Sequence, residues 1–459
     1  MSRSPVQVFA ELNAPPSRPA VRVTGRAVVL GGSVAGLLAA RVLSEHADSV
    51  VIVDRDDLHS TGARPGVPQG TQLHALLPGG LVHLERLFPG FRELALRAGA
   101  IEAVPAARRN YLDGRVKVVV PDDADSLAGT RPLLEGLIRE LVLRLPNVKT
   151  VTARATGLVF DGDAVTGVRY EAGGAPGVEP GELVVDAMGR SSRLSDWLAQ
   201  AGWERPVTQR MTVHLNYATA LFRRPAADPA HAVVLAIHTP GTGVSADVAG
   251  AAFFAVEGGR WMAMMAGYGD SHPGRTAEDF VRRLREQFPP EFGEVADSGM
   301  IGDVQTYHHA DSRRRDFHAL RRMPAGLVAV GDAVASFNPV YGQGMTAAAM
   351  HAACLSAYLR SGPDLGVPAR DFLELQKVVV DAAWSTSTSA DLALPHVHGP
   401  YPRGYRFTSW VSRQIVAATV TDVAVARRFN QVVSMREHPQ TLATPAVILR
   451  ALRSARRRP

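Results

Sequence analysis

Near the start of the chain the apolar positions fall into two short unbroken runs with a helical pattern between them. Arg26-Ala-Val-Val-Leu30 and Ser49-Val-Val-Ile-Val-Asp54 are apolar at every interior position, as strands covered on both faces of a parallel sheet must be. Between them Val34, Leu38 and Val42 recur at i, i+4 spacing, while Ala35, Ala39 and Ala40 let the helix lie close to a sheet. The turn from strand to helix is Gly31-Gly32-Ser33-Val34-Ala35-Gly36. Together these residues predict a βαβ unit with its turn chemistry in place.

The pattern then turns helical over 74–98, broken by Pro78 and Pro89, and predicts short strands within 101–120. A helix over 131–145 places Leu134, Leu137, Ile138 and Leu141 on one face. Strand character returns at 150–170 and 182–186, and within the mixed stretch 207–304 it is clearest at 211–221 and 260–268. Leu327-Val-Ala-Val330 is a last buried strand, and 369–452 is largely helical without any internal repeat. The predicted fold is α/β. A Rossmann-like nucleotide-binding domain over 25–100, 130–206 and 324–365 receives an inserted mixed-sheet substrate domain over 101–129 and 207–323. A helical region follows at 366–459. The lead-in 1–24, with Pro5, Pro15, Pro16 and Pro19, reads as a disordered extension without the apolar core of a secretory signal.

Composition narrows the chemistry. Among 459 residues, 46% are hydrophobic and 20% charged, an ordinary globular balance. The single Cys354 excludes an intramolecular disulfide and any multi-thiolate metal site, so no metal is expected and a cytoplasmic setting is. A net charge of +6 does not predict nucleic-acid binding, because the basic residues are dispersed and lysine occurs only at Lys117, Lys149 and Lys377. The arginines of 450–458 read as a solvated helix end in preference to a membrane or nucleic-acid tether. No apolar run is long enough for a transmembrane helix.

The glycine turn suits a dinucleotide pyrophosphate, which needs a tight turn, close backbone approach and the positive end of a helix. Ser33 stands where glycine is usual, and on its own such a turn also serves packing. Asp54, ending the second strand, is placed to accept from ribose hydroxyls. Two later segments choose between dinucleotides. Val184-Val-Asp186-Ala-Met-Gly189-Arg-Ser-Ser192 is a strand running into Asp-x-x-Gly-x-x-Ser. The second runs from Val330-Gly331-Asp332 to Pro339-Val-Tyr-Gly342-Gln-Gly344-Met345-Thr346 and opens a helix at Met345. An extended FAD needs a carboxylate for its hydroxyls, which Asp332 suits. It also needs N–H donors for the pyrimidine edge of the flavin, which the 342–346 backbone suits.

With these motifs the chain resembles the FAD-dependent monooxygenases of the aromatic-hydroxylase type. Within them it is most similar to the actinobacterial branch that includes the flavin epoxidases of polyether biosynthesis. The resemblance is carried by Val28-Val-Leu-Gly-Gly-Ser-Val-Ala-Gly36, Gly66-Val-Pro-Gln69 with His74, and Arg131-Pro-Leu-Leu-Glu135. It continues through Val185-Asp-Ala-Met-Gly-Arg190, Gly258-Gly-Arg-Trp261 and Gly331-Asp332 to Tyr341-Gly-Gln-Gly-Met345. It implies that Gly31, Gly32, Ser33 and Gly36 wrap the pyrophosphate and that Asp54 takes the adenosine ribose, with Arg55 also among the cofactor residues. Arg64 and Arg131 would contact the ribose and phosphate side, and Asp186 and Gly189 belong to the segment linked to FAD and nicotinamide. Asp332, Pro339, Gly342, Gly344 and Met345 would hold the flavin, with Gln69 and His74 near its ring. His74 has the alternative of a histidine satisfied at a helix start.

The implied activity is insertion of one oxygen atom from O2 into a lipophilic or aromatic organic substrate, through a flavin C4a-hydroperoxide, giving an epoxide or a hydroxylated product of natural-product type. NAD(P)H would be the electron donor, directly or through a separate reductase. Met188, where threonine is common, leaves the nicotinamide site open between these. No catalytic side chain is named. Tyr217, Trp261, Met262 and Met264 are either substrate walls or packing core, and the C-terminal helices either cover the substrate mouth or serve packing or dimerisation. The alternatives on the same fold are a flavin halogenase and a flavin reductase or dehydrogenase; a non-catalytic flavoprotein is the third. The tryptophans form no Trp-x-Trp-x-Ile-Pro segment expected of the halogenases.

Overall fold

The computed structural model describes residues 3–60, 62, 64–74, 76–225, 231–239 and 249–456, with the side chains of 68, 69, 455 and 456 outside that description. A five-stranded parallel sheet carries the N-terminal half, in the order Leu327–Ala329, Leu183–Asp186, Thr24–Leu30, Ala47–Asp54, Val148–Thr152. Ala27 to Leu30 are wholly buried because helix Val34–Leu43 and a three-stranded antiparallel sheet of Arg154–Asp161, Ala164–Ala172 and Ala175–Pro180 both pack on this sheet, and the apolar run needs no alternation. Val34–Leu43 packs against Gly344–Leu359 and Arg131–Leu143. The register sets Leu30 beside Asp186 and Asp186 beside Ala329. The three following turns, at Gly31, Ala187 and Gly331, therefore open along one edge of the sheet, where nucleotide-binding crevices form in such folds.

The inserted stretches meet in one mixed eight-stranded sheet. It runs from 335–336 through Met300–Arg315, Thr208–Arg223, Arg260–Tyr268, Gly250–Val256 and Val233–Ile237 to Arg108–Leu112 and Arg115–Val116. Val233–Ile237 lies parallel to Arg108–Leu112, which joins two segments far apart in sequence. One face is closed by Ala277–Gln287 and Pro290–Asp297, whose Phe280, Leu284 and Phe292 pack into a second core with Phe222, Phe253 and Trp261. The C-terminal region is helical as predicted, in Arg370–Asp391, Tyr405–Ala418, Val423–Val433 and Pro445–Arg456. Among the described residues no helix is long and apolar enough to cross a membrane.

The lead-in departs from expectation. Pro5–Leu12 is a helix, and Val8, Phe9 and Leu12 are buried in the main core. Its prolines misled because Pro5 sits at the first helical position, where the missing N–H costs nothing. Ser4 and Gln7 close a reciprocal capping box around that turn. Phe9 also meets His438 edge to face, tying the lead-in to the far end of the chain.

Candidate cofactor and substrate site

The first turn is held by close approach. Gly31 has φ 99°, and a Cβ there would stand 2.6 Å from the carbonyl oxygen of Ala187. A Cβ on Gly36 would stand 1.8 Å from the Gly31 carbonyl oxygen, so only glycine lets the helix sit this near its strand. Ser33 occupies the N-cap position but makes no cap bond. Its hydroxyl donates to Glu135 at 2.9 Å and accepts from Arg131 at 3.0 Å.

A buried ionic network surrounds the turn. Arg64 pairs with Asp54 at 2.8 Å, Glu135 at 3.1 Å and Asp56 at 3.2 Å, and donates to the Gly32 carbonyl at 2.6 Å. Glu135 pairs in turn with Arg131 at 2.8 Å. Asp54 also accepts from the Gly32 and Asp56 N–H groups, at 2.5 and 2.8 Å. Burial works against the charge on Arg64, yet Asp54, Glu135 and Asp56 hold its guanidinium above the ordinary value. For Glu135, burial acts to raise the carboxyl, and Arg131, Arg64 and the Ser33 hydroxyl hold it below the usual range.

The second and third turns are stitched together by arginines. Asp186 is wholly buried and spends its carboxylate on its own turn, accepting from the Met188 N–H at 2.9 Å and from the Ser192 hydroxyl. Burial pushes it up to about 6. Arg190 donates to the carboxylate of Asp311 and to Ser336, each at 2.8 Å. Arg315 donates to the Ala333 carbonyl at 2.7 Å and to the Arg190 carbonyl at 3.1 Å. Half-buried Asp332 is held above the usual carboxylate range by desolvation, against the pull of Arg190 and Arg131. Beneath it His351 accepts from the Gly331 N–H through Nδ1 at 2.9 Å, and burial pushes its pKa to about 4. The imidazole is therefore neutral, with its proton on Nε2.

The third turn continues into a loop at the other end of the crevice. Gly342 has φ 66° and the helix opens at Gly344, one residue before the predicted start. Gln343 Oε1 and Thr346 Oγ1 are buried there without a partner among the described residues. Asp391, the last residue of Arg370–Asp391, anchors the loop by accepting from Asn338 at 2.7 Å and Tyr341 at 2.9 Å. Burial pushes Asp391 to about 6.

Val340, Tyr341 and Gly342 form one wall of a cavity of about 1560 Å³. Its other walls are Asn110, Leu112, Leu235 and Ile237 from the mixed sheet, and Phe407, Val411, Ile415 and Phe429 from the C-terminal helices. Such a volume takes a molecule larger than a single aromatic ring, in mostly apolar surroundings.

Gly31, Gly32, Ser33, Gly36, Asp54, Arg64 and Arg131 thus converge on one end of a crevice that Asp186, Gly189 and Asp332 continue. Pro339, Gly342, Gly344 and Met345 stand at its far end. Arg55 is exposed and donates to the Gly66 carbonyl at 3.3 Å. The side chain of Gln69 lies outside the described residues. His74 donates through Nδ1 to the Gln72 carbonyl at 2.8 Å, and burial with the nearby Arg131 pushes it to about 4. Tyr217, Trp261 and Met262 are core side chains and Met264 packs beside them; none of the four lines this cavity. The C-terminal helices do flank the cavity. Sequence reasoning missed His351 and Asp391. For both the available signal was a polar residue recurring on the apolar face of a helix, as His351 does among Ala347, Met350 and Cys354.

No family model matches the chain. In sequence it is 32% identical over 454 residues to Protein Rv3254 of Mycobacterium tuberculosis, covering 93% of each chain. In structure it is similar to a triple mutant of the flavin-dependent brominase Bmp2, with TM-score 0.65, 13% identity, and coverage of 94% of this chain and 99% of that one. It is also similar to p-nitrophenol 4-monooxygenase PnpA from Pseudomonas putida DLL-E4, with TM-score 0.62, 17% identity, and coverage of 90% and 99%. PqsL of P. aeruginosa, in complex with 2-aminobenzoylacetate, gives TM-score 0.62 and 17% identity over 81% and 97% of the two chains. At its level of identity over nearly all of both chains, the protein belongs to the family of Protein Rv3254, on the fold shared by these flavin-dependent monooxygenases and halogenases.

Proposed function

We propose that the protein binds FAD non-covalently along the three turns and uses it to place one oxygen atom from O2 into a lipophilic organic substrate, as an epoxide or a hydroxyl. The observation that carries this reading is the large apolar cavity opening on the Val340–Gly342 loop. A nucleotide without a substrate chamber would suit a carrier; a chamber at that loop suits oxidation of a bound molecule. The residues present fit the cofactor. The Gly31 and Gly36 positions leave no room for a Cβ, so the helix Val34–Leu43 opens tight against its strand, and its N-terminal end is where a pyrophosphate would lie. Arg131, oriented by Glu135, stands on that side, while Arg64 ties Asp54, Asp56 and Glu135 together behind it. Asp54 and Asp332 offer carboxylates for hydroxyl groups, and the unpartnered Gln343 and Thr346 oxygens offer polar contacts at the flavin end.

Reduced flavin supplies the activation of O2. The chain's own contribution is to position and to exclude water: the N-terminus of Gly344–Leu359 favours negative charge at the loop by ~0.3–1 kcal/mol, and the apolar walls keep solvent from the reacting centre. Electrons come from NAD(P)H, directly or through a separate reductase; bleaching of the bound flavin by NAD(P)H alone, followed in stopped flow, tells these apart. Natural-product alkenes or electron-rich rings fit the chamber, in line with the resemblance to polyether epoxidases. Turnover under 18O2 should give product heavier by one 18O atom. Oxidised product without label would sink oxygen transfer in favour of a dehydrogenase, and brominated product in the presence of bromide would favour the halogenase alternative.

A further inference from the structure

The cavity wall carries one cation to which oxygen transfer assigns no task. Lys117 follows the short strand Arg115–Val116, and its backbone N–H donates to the Asn110 carbonyl at 2.8 Å. This extends by one pair the antiparallel register in which Tyr111 faces Val116. Residues directly opposite in such a pair share a face, so Lys117 stands on the side of Asn110. The parallel register then places Leu235 beside Asn110 and Ile237 beside Leu112, all of them cavity residues. The Lys117 ammonium therefore belongs to the apolar floor of the chamber.

The remaining charges of the wall are accounted for. Arg108 pairs with Asp123 at 3.4 Å, and Asp123 also accepts from Asn430 at 2.9 Å. Asp113 accepts from the Thr239 N–H at 2.6 Å and from its hydroxyl. His238 is neutral, its pKa lowered by burial, and Arg413 is exposed at the rim. Lys117 Nζ has instead the face of Phe429, 4.7 Å from the ring centroid. Desolvation alone acts on it, pushing its pKa down to about 8 with no carboxylate to oppose the shift. A cation held in an apolar wall without an anion is costly unless a ligand supplies one.

We infer that the chamber takes an elongated lipophilic substrate ending in a carboxylate, and that Lys117 pairs with that carboxylate. This rests on reading the cavity as the substrate site, but its test needs no turnover, so the label experiment and this one fail separately.

The probes are dodecanoate, its methyl ester and dodecanol, titrated calorimetrically into the FAD-loaded protein at pH 7. Dodecanoate should bind roughly tenfold more tightly than the ester or the alcohol, in keeping with a charged hydrogen bond in a partly desolvated wall. Lys117→Met should bring the three probes to within about twofold of one another, and Lys117→Arg should keep the preference. In the wild type the preference should fade as pH rises past about 8, since the carboxylate stays ionised while the ammonium does not. Lys117→Met orphans no acid and should melt no lower than the wild type, which keeps loss of preference separate from loss of fold. Equal binding of the three probes by the wild type, a preference that survives Lys117→Met, or one abolished by Arg413→Gln instead would overturn the inference.

Discussion

The two ends of the crevice are built on opposite terms. Around Gly31 each charged side chain is paired before any ligand arrives: Asp54 and Asp56 with Arg64, and Glu135 with Arg64 and Arg131. The glycines there are demanded by atoms within 3 Å of where a Cβ would be. At the chamber the walls come from the mixed sheet, the Val340–Gly342 loop and the C-terminal helices, and Lys117 is left without a counter-charge. A site for an invariant cofactor can be rigid and complete in advance, because paired charges hold the geometry and the ligand adds only its phosphates. A chamber for one particular molecule leaves part of its polar complement to that molecule.

The sharpest way to break this contrast is to enlarge one small residue at each end. Gly36→Ala drives a Cβ into the Gly31 carbonyl, where backbone must move; overpacking of this kind costs about 3 kcal/mol or more. Little soluble protein should survive, and what does should carry less than about a tenth of the wild-type flavin absorbance per chain. Ala393→Val, in the chamber wall and exposed to it, should leave flavin content unchanged. Comparable flavin loss from both would show that the two ends are not independently built.

Next in size is Glu135→Gln. Arg64 and Arg131 share that carboxylate in a buried setting, and removing one partner of a buried pair typically costs ~3–5 kcal/mol. Denaturant unfolding of the flavin-free protein should show a loss of about 3 kcal/mol. A change below about 1 kcal/mol would mean that the network positions the arginines without stabilising the fold.

Much of the structure at the proposed cofactor end was legible because its pattern is local. A strand, a glycine turn and a helix lie within about twenty residues, and Asp54 ends the next strand at the spacing such sites require. Arg64 and Arg131 were reached through the family resemblance, but the carboxylate between them was not singled out, since a glutamate four residues after an arginine on a helix reads as an ordinary surface pair. The chamber was legible only as a region. Strand periodicity separates the two faces of the sheet but does not say which faces a helix and which faces a cavity. Trp261 and Met262 were therefore open to either reading, and both belong to the core packed by Phe280 and Phe292. Asn110, Leu235 and Lys117 reach one wall only because Val233–Ile237 pairs with Arg108–Leu112, a pairing no local pattern announces. Pro5 was misread for a simpler reason, that proline both ends helices and starts them.

A third test concerns the loop that the crevice and the chamber share. Asp391 fixes the Val340–Gly342 loop through Asn338 and Tyr341, and its folded pKa is raised to about 6 by burial. A carboxyl raised in the folded state contributes stability that is present below its unfolded value near 4 and lost as pH rises through about 6. Asp391→Asn keeps an oxygen for both donors and removes the buried charge. Relative to the wild type it should gain about 2 kcal/mol on going from pH 4 to pH 7.5, with no further gain above that, read as the pH dependence of unfolding free energy. A pH-independent difference would place Asp391 in contact with solvent when the protein is folded.

The smallest expected effect marks the border between core and chamber. Met264, which the sequence left open as a wall residue, packs beside the cluster of Met211, Val213 and Tyr217 and not on the cavity. Met264→Leu conserves volume and should cost less than about 1 kcal/mol, without altering the KM of any substrate found. Ala393→Leu should do the reverse. It leaves unfolding within about 0.5 kcal/mol, because the side chain points into open space, and raises KM for bulky substrates by filling the chamber. If Met264→Leu shifts KM while Ala393→Leu does not, substrate lies against the central strands of the sheet, the chamber beside the Val340–Gly342 loop is not where it binds, and the contrast between a finished cofactor end and an unfinished substrate end has been drawn at the wrong wall.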